Sequence, residues 1–404
     1  MSVITNNNIR FADSFSIDAA ARLRTSNLYS VFNSKFLYDK QPSLWDEQVT
    51  GSSPAASTYS ANESCVKLIV GTTSGNSVIR QTRFCFNHQP GCSQAIILGA
   101  VIGAGKNNVR KRWGYFDNNN GLFFEQNGTN LKAVIRSKVS GTVAETTISQ
   151  VNWNLDKMDG SGDSGITIDL SMVQMFVIDF SWAGAGRVRM GFIINGVPVY
   201  CHQFVHANIL STVYMGTPNL PIRFEIVNTG TSASTTELKQ LACQVMAEGG
   251  FNQNIMTRSV DAGSSYLIIG TTLKPIISIK LKDACKSVVV IPAKVSIHAK
   301  DTKDFRYSIC VNPVISGGAA ANWTDVTGSA VRYDISRTGT ITDEGIVIDS
   351  GYTAANITPT AIDFVSDYIL GTSIGGVSDE VVIAAQTLSN SDSFRASIGW
   401  KEYL

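Results

Sequence analysis

Charge is scarce in this chain. Asp, Glu, Lys and Arg make up 16% of its 404 residues, against about 25% in average soluble proteins. The 33 basic and 32 acidic residues leave a formal net charge of +1. No global field therefore draws a phosphate backbone, which argues against nucleic acid as a partner. Long apolar runs are also missing: the most apolar, 95–105 and 288–297, are half the roughly 20 residues a helix needs to span a bilayer. No membrane partner is expected. The amino terminus carries neither a basic n-region nor an apolar stretch, so no signal peptide is expected. The seven cysteines, at 65, 85, 92, 201, 243, 285 and 310, form an odd set without a CxxC pair. That pattern excludes a zinc ribbon and a disulfide framework, while leaving open whether Cys85 and Cys92 pair. With four histidines, of which His88 and His298 stand alone, no Ser-His-Asp or Cys-His system is expected. No metal or cofactor is expected.

Helical periodicity is missing as well, and what fills its place is strand pattern. Gly, Ser, Thr and Asn recur between short apolar runs every eight to twelve residues or so, which reads as an all-β sandwich or barrel protein. The clearest hairpin spans 187–204, where Asn195-Gly196 supplies the two φ > 0 positions of a type I′ turn. Alternation assigns Val188, Met190, Phe192 and Ile194 to the core face, joined across the turn by Val197, Val199 and Cys201. Arg187, Arg189, Tyr200, His202 and Phe204 fall on the other face, a mixed aromatic and basic surface suited to an interface.

Three segments are expected. Residues 60–250 form a central β-sandwich, jelly-roll-like, and residues 251–404 a smaller C-terminal β domain, the boundary lying at Gly249-Gly250. Residues 1–59 read as an extended N-terminal arm with a short helix at 17–28. Its apolar members, including Phe11, Phe15, Phe32, Phe36 and Trp45, are too many for a free tail, so the arm is expected to pack on its own domain or on a neighbour, and these five are carried as candidates for a contact between subunits. On that reading, deletion of residues 1–50 weakens self-association without unfolding the central domain. Low net charge likewise favours association, and a homo-oligomer, trimer or ring, is expected.

Several constellations invite chemistry and fall short of it. Gly103-Ala-Gly-Lys106 lacks the residues a Walker A loop requires, with Ala100 and Asn107 in their places. Asp156, Asp159 and Asp163 sit among glycines but not at calcium-loop spacing, and Asx turns account for them. His202 and His206 would stand roughly 13 Å apart on one strand, too far for one metal. Glu125, Asp169 and Asp179 are the acids that a sandwich glycosidase would draw on, yet nothing local pairs them. The chain is read as a non-enzyme.

The series Arg112-Trp-Gly-Tyr-Phe-Asp117, Asn120-Gly-Leu-Phe-Phe-Glu125, Val134-Ile-Arg-Ser137, Gln150-Val-Asn-Trp-Asn154, Trp182-Ala-Gly-Ala-Gly-Arg-Val-Arg189 and Leu220-Pro-Ile-Arg-Phe-Glu225 resembles uncharacterised virion structural proteins of tailed phages and large DNA viruses, over about residues 60–250. The resemblance implies a virion structural subunit of a bacteriophage, assembled in the host cytoplasm with other virion proteins. Tail, baseplate or fibre is the implied position, with capsid decoration or cement as the alternative. A further alternative is a host-glycan-binding appendage module, in which Trp323, Tyr333, Tyr352 and Tyr368 of the C-terminal domain would stack on sugar rings. Trp153, Trp182, Tyr115 and Phe116 are read as anchors for long loops.

Overall fold

Apolar residues alternating with polar ones at period two define a strand with one buried face, and most of this chain has that pattern. The structure, a computed structural model, describes residues 16–20, 22–24, 28–248, 255–264, 266–300, 304–353 and 368–403, with the backbone of 360–363. It is all-β. The helical elements among the described residues are two short 3-10 turns, Gln150–Asn152 and Asp283–Cys285. The chain divides into two units, residues 1–82 with 88–252, and residues 83–87 with 253–404.

The first unit is a sandwich of two antiparallel sheets. One runs in the order Val197–Phe204, Val188–Ile194, Gln174–Phe180, Gln94–Val101, Thr236–Ala247, Cys65–Val70, Ala56–Ser60, with Tyr29–Lys35 also paired to Thr236–Ala247. The other runs Ala144–Ser149, Asn130–Ser137, Gly121–Gly128, Lys106–Phe116, Ile222–Asn228, Ser77–Thr82, Trp45–Thr50. Aromatic rings fill the space between them. Trp113 lies 5.1 Å from Phe176 and 5.9 Å from Phe124, and Phe192 lies 5.6 Å from Phe124. Trp153 closes the cluster at 6.3 Å from Phe124 while its Nε1 donates to the carbonyl of Ile148 at 3.2 Å. Trp182 Nε1 likewise donates to the carbonyl of Met215 and Tyr115 Oη to that of Pro218, each at 3.0 Å. These side chains anchor loops to the sandwich.

The N-terminal segment is not a free arm. Tyr29–Lys35, Trp45–Thr50 and Ala56–Ser60 are strands of the two sheets. Phe32, Phe36 and Trp45 are buried, with Trp45 6.1 Å from Phe36 and 6.4 Å from Phe224. The subunit contact expected of these three is therefore corrected: their apolar area is already spent inside their own unit. Phe11 and Phe15 lie outside the described residues. No helix forms among the described residues of 17–28, where Ile17 and Leu23 make an isolated antiparallel bridge and Asp18 Oδ1 accepts from the amides of Ala20 and Arg22.

The 187–204 hairpin turns at Asn195 and Gly196, with φ of 49° and 80°, and pairs Ile194 with Val197 and Phe192 with Val199. Its register then shifts. Gly191 opposes Tyr200, but Met190 opposes His202, so Cys201 is the extra residue of a β-bulge. A one-residue slip exchanges the faces of every residue beyond it. His202 and Phe204 therefore share the core side of Met190 and Val188, and both are buried. Only Arg187, Arg189 and Tyr200 remain on the expected outer face.

The second unit has a five-stranded sheet in the order Ile255–Asp261, Asp392–Tyr403, Val289–Ala299, Thr360–Asp363, with Leu267–Ile269 on Asp392–Tyr403. Its six-stranded sheet runs Thr324–Asp325, Val331–Asp334, Lys274–Leu281, Glu380–Thr387, Phe305–Val311, Ile346–Thr353. Inward residues Ile297, Phe394 and Ile398 of the first sheet meet Ile277, Ile309 and Val381 of the second in one core. The alternate residues of the five-stranded sheet are thereby turned outward.

Candidate functional site

The acids that a glycosidase would need are held apart. Phe124 and Ile178 point into the sandwich of the first unit, so their neighbours Glu125 and Asp179 point out of opposite sheets. The two carboxylates are thus separated by the full thickness of the sandwich, beyond the roughly 5 to 9.5 Å of a catalytic pair. Asp169 is in an exposed turn, accepting from Ser171 N at 2.8 Å and Ser171 Oγ at 2.7 Å. Those hydrogen bonds hold its carboxyl below the ordinary range.

Glu125 belongs to a ladder of charges on the outer face of the seven-stranded sheet. Arg112 reaches Glu125 at 2.7 Å and Glu145 at 3.0 Å, Arg136 reaches Glu145 at 2.8 Å, and Lys132 reaches Glu125 at 3.1 Å. Burial pushes the Glu125 carboxyl up, but Arg112 and Lys132 outweigh it and leave it below the usual carboxylate range. A general acid needs the opposite shift. The ladder is structural: it satisfies groups that the sheet half buries.

Asp179 is the centre of a second assembly. It is fully buried, and Arg189, also fully buried, pairs with it from the neighbouring strand. Arg24 reaches it at 2.7 Å, Ser93 Oγ donates at 2.6 Å and Tyr200 Oη at 3.0 Å. Arg189 also donates to the carbonyl of Ile17 at 2.5 Å, and Arg187 Nε to that of Ala19 at 3.0 Å. The interface role expected of Arg187 and Arg189 is corrected on these contacts, since the chain's own residues 17–24 cover them. His202 Nδ1 accepts the amide of Asn154 at 3.3 Å and its ring meets Phe204 edge to face at 4.5 Å. That pair too is internal.

The Asp-rich loop closes on itself. Asp156 accepts from the amides of Met158 and Ser164, each at 2.8 Å, and Asp159 from that of Ser161 at 2.9 Å. Among the described residues no group of three or more His, Cys, Asp or Glu could hold a metal ion. The seven cysteines are all free thiols.

The four aromatics assigned to glycan do not converge. Trp323 leads into one edge strand of the six-stranded sheet and Tyr352 is on the opposite edge strand, 73% exposed. Lys280 Nζ already lies 4.2 Å from the Trp323 ring centroid and Arg337 at 5.4 Å. Tyr333 packs on the core, and so does Tyr368, whose hydroxyl donates to Asp379 at 3.0 Å. As a joint sugar platform the set is corrected.

A different group does converge, on the outward face of the five-stranded sheet. His298 and Arg395 are directly opposed on neighbouring strands, as are Ser296 and Ser397, and Asp261 opposes Ser397 from the other side. These five residues, with Ala262, Gly263 and Ala396, line a hollow of about 320 Å³. Tyr266 stands beside it, its ring centroid 4.6 Å from the Arg395 guanidinium carbon and its hydroxyl 3.4 Å from His298 Nδ1. Among the described residues Arg395 makes no ion pair, whereas Arg306, in a hollow of about 590 Å³ on the same unit, is held by Glu344 at 2.8 Å. A third hollow of about 390 Å³, in the first unit, includes Ile97, Gly99, Met175 and Cys243 and offers no charged side chain but Lys35. The Arg395 hollow therefore combines hydroxyls, a carboxylate, an imidazole and an uncommitted guanidinium.

No protein-family model matches the chain, and no curated protein does. Solved structures do resemble it. A pseudo β-1,3-glucanase of Mycobacterium tuberculosis is 13% identical at a TM-score of 0.38, with 54% of this chain and 99% of that one covered. A β-1,3-glucanase from Mycobacterium marinum is 12% identical at 0.36, covering 54% and 98%. A legume lectin-like domain from Entamoeba histolytica is 10% identical at 0.32, covering 55% and 98%. These three are two glucanase-like structures and one lectin-like domain, none of them viral, and the expectation of a virion structural subunit, which no comparison supports, is withdrawn. At such low scores their activities are not carried over to this chain.

Proposed function

We propose that this chain is a non-catalytic carbohydrate-binding protein whose ligand site is the hollow over Ser296, Ser397, Asp261, His298 and Arg395. The observation that carries the reading is the composition of that hollow. A sugar presents hydroxyls that both donate and accept, and the paired serines, Asp261 and Arg395 answer both needs within a space of about 320 Å³. Beside the hollow the Tyr266 ring supports the Arg395 guanidinium. Two-carboxylate glycoside hydrolysis needs a second acid across the bond, and Asp261 is the one carboxylate among the lining residues. Binding without turnover is the reading this supports.

The test is a glycan array probed with the full chain, followed by calorimetry on the best ligand with wild type, Asp261→Ala and the double variant Ser296→Ala/Ser397→Ala. Saturable binding that weakens by about tenfold in each variant is expected, a loss of one to two hydrogen bonds. Absence of any saccharide binding, or release of reducing ends from the bound glycan, sinks the reading.

A further inference from the structure

Resting on the carbohydrate-binding reading, we infer that this hollow selects an acidic sugar, one whose carboxylate or sulfate ester docks on Arg395. The guanidinium is held by an aromatic ring and not by an acid: it lies 4.6 Å from the Tyr266 centroid and has no carboxylate partner among the described residues. The arginines of the first unit contrast with it, since Arg24, Arg80, Arg112, Arg136, Arg189 and Arg223 each reach an acidic side chain. A guanidinium stacked on a ring keeps its in-plane N–H fork, the geometry that takes an oxyanion through two parallel hydrogen bonds.

The neighbours fit that ligand. His298 is cross-strand from Arg395 on the same side of the sheet, so its imidazole is the second donor available to the anion. Asp261 would repel an anion, but it is placed at the other end. It opposes Ser397, two residues along the strand from Arg395, which sets the Cα atoms of Asp261 and Arg395 about 7 Å apart along the strand and about 5 Å across it. One Asp261 oxygen accepts the amide of Gly263 at 2.7 Å; the carboxylate is thus oriented to take sugar hydroxyls while the cationic end takes the acid. A single ring bearing its acidic group opposite a pair of hydroxyls spans the two poles.

The experiment titrates the full chain with three oligosaccharides of one backbone: neutral, uronate-bearing and sulfated. Wild type is expected to bind at least one acidic form about tenfold or more tighter than the neutral one, as two charge-assisted hydrogen bonds imply, with the preference shrinking as salt rises. The uronate and sulfate arms tell which oxyanion it takes. Arg395→Gln should bring the preference to near parity by weakening acidic binding far more than neutral binding, at the wild-type melting temperature, Arg395→Lys should restore part of it, and Tyr266→Ala should reduce it by releasing the guanidinium. Equal wild-type affinity for all three, or a preference that survives in Arg395→Gln, overturns the inference and leaves carbohydrate binding standing. Failure of all three to bind overturns both.

Discussion

Asp179 and Arg189 face each other on adjacent strands, and neither exposes any surface to solvent. Arg24 brings a second guanidinium to the same carboxylate from a segment far away in sequence. A buried acid with two buried cations on it is therefore the fastening by which residues 17–24 are held to the sheet. Beside it, burial pushes the Glu248 carboxyl up although Arg24 lies 2.7 Å away.

Removing the acid takes the shared carboxylate from two buried guanidinium groups and leaves Arg24 to Glu248, and breaking such a buried pair costs about 3 to 5 kcal/mol. Asp179→Ala should lose that much in urea denaturation. Asp179→Leu combined with Arg189→Met, Arg24→Met and Glu248→Gln should recover most of it, because the replacement removes the charges together and leaves none stranded. A single variant as stable as wild type would show the assembly to be ornamental.

Truncation gives a sharper result than the sequence suggested. A chain starting after Thr50 lacks two strands, and with them Phe36 and Trp45, which pack on the wholly buried Arg80 at 5.3 Å each. Burial pushes the Arg80 guanidinium down to about 9, so it depends on those rings, on Gln240 at 2.9 Å and on Glu47. Loss of one large aromatic from a core costs about 3 to 5 kcal/mol. The truncated chain should be unfolded or insoluble, as judged by circular dichroism and solubility. A folded product with altered self-association would restore the idea of an arm.

Acid should weaken the first unit through its histidines. His88 Nε2 accepts the amide of Trp182 at 3.4 Å, and His202 Nδ1 that of Asn154 at 3.3 Å, so both rings serve as neutral acceptors. Burial pushes each of them down to about 4, below the roughly 6.5 of an unfolded histidine. Between those values the unfolded chain binds the protons, so stability is complete above about pH 6.5 and is lost as pH falls toward 4. The loss is on the order of 3 kcal/mol for each ring. Urea midpoints should fall steadily from about pH 7 to pH 4.5, and the double variant His88→Gln/His202→Gln should flatten that slope. A slope unchanged by the double variant would assign it to other groups, the carboxylates or His206, which burial also pushes down.

Sequence alone reaches the all-β class, because short apolar runs such as Gln94–Val101 and alternation such as Phe305–Val311 recur between turn residues. The Asn195-Gly196 turn is legible for the same local reason. What escapes it is set by distance and by single-residue slips. The bulge at Cys201 leaves no local signature, yet it moves His202 and Phe204 from one face to the other. The N-terminal strands are hidden because Phe32 and the polar Ser34 are the buried residues of Tyr29–Lys35, and Trp45 is the buried residue of Trp45–Thr50. His298 is visible in the sequence as a lone histidine, and only the antiparallel register of two strands about a hundred residues apart puts Arg395 opposite it.

Two glycines in the 187–204 hairpin should respond differently to alanine, and the difference tests the bulge. At Gly191 an added Cβ would fall 2.3 Å from the carbonyl oxygen of Val199 and 2.7 Å from Tyr200 Cα, both backbone atoms of the bulged strand. Backbone cannot give way without shifting the pairing, so Gly191→Ala should cost about 1 to 3 kcal/mol as an overpacking defect. At Gly196 nothing lies within 4 Å, and only its φ of +80° opposes a side chain. Gly196→Ala should then cost about 1 to 2 kcal/mol from left-handed backbone strain, and Gly196→Asn less, since asparagine tolerates that region. Asparagine at 191 should give no such relief, because the clash there is with neighbouring backbone. Equilibrium unfolding of the four variants decides it: if asparagine rescues both positions alike, the close approach of Gly191 to Val199 and Tyr200 is absent, and with it the pairing that precedes the bulge.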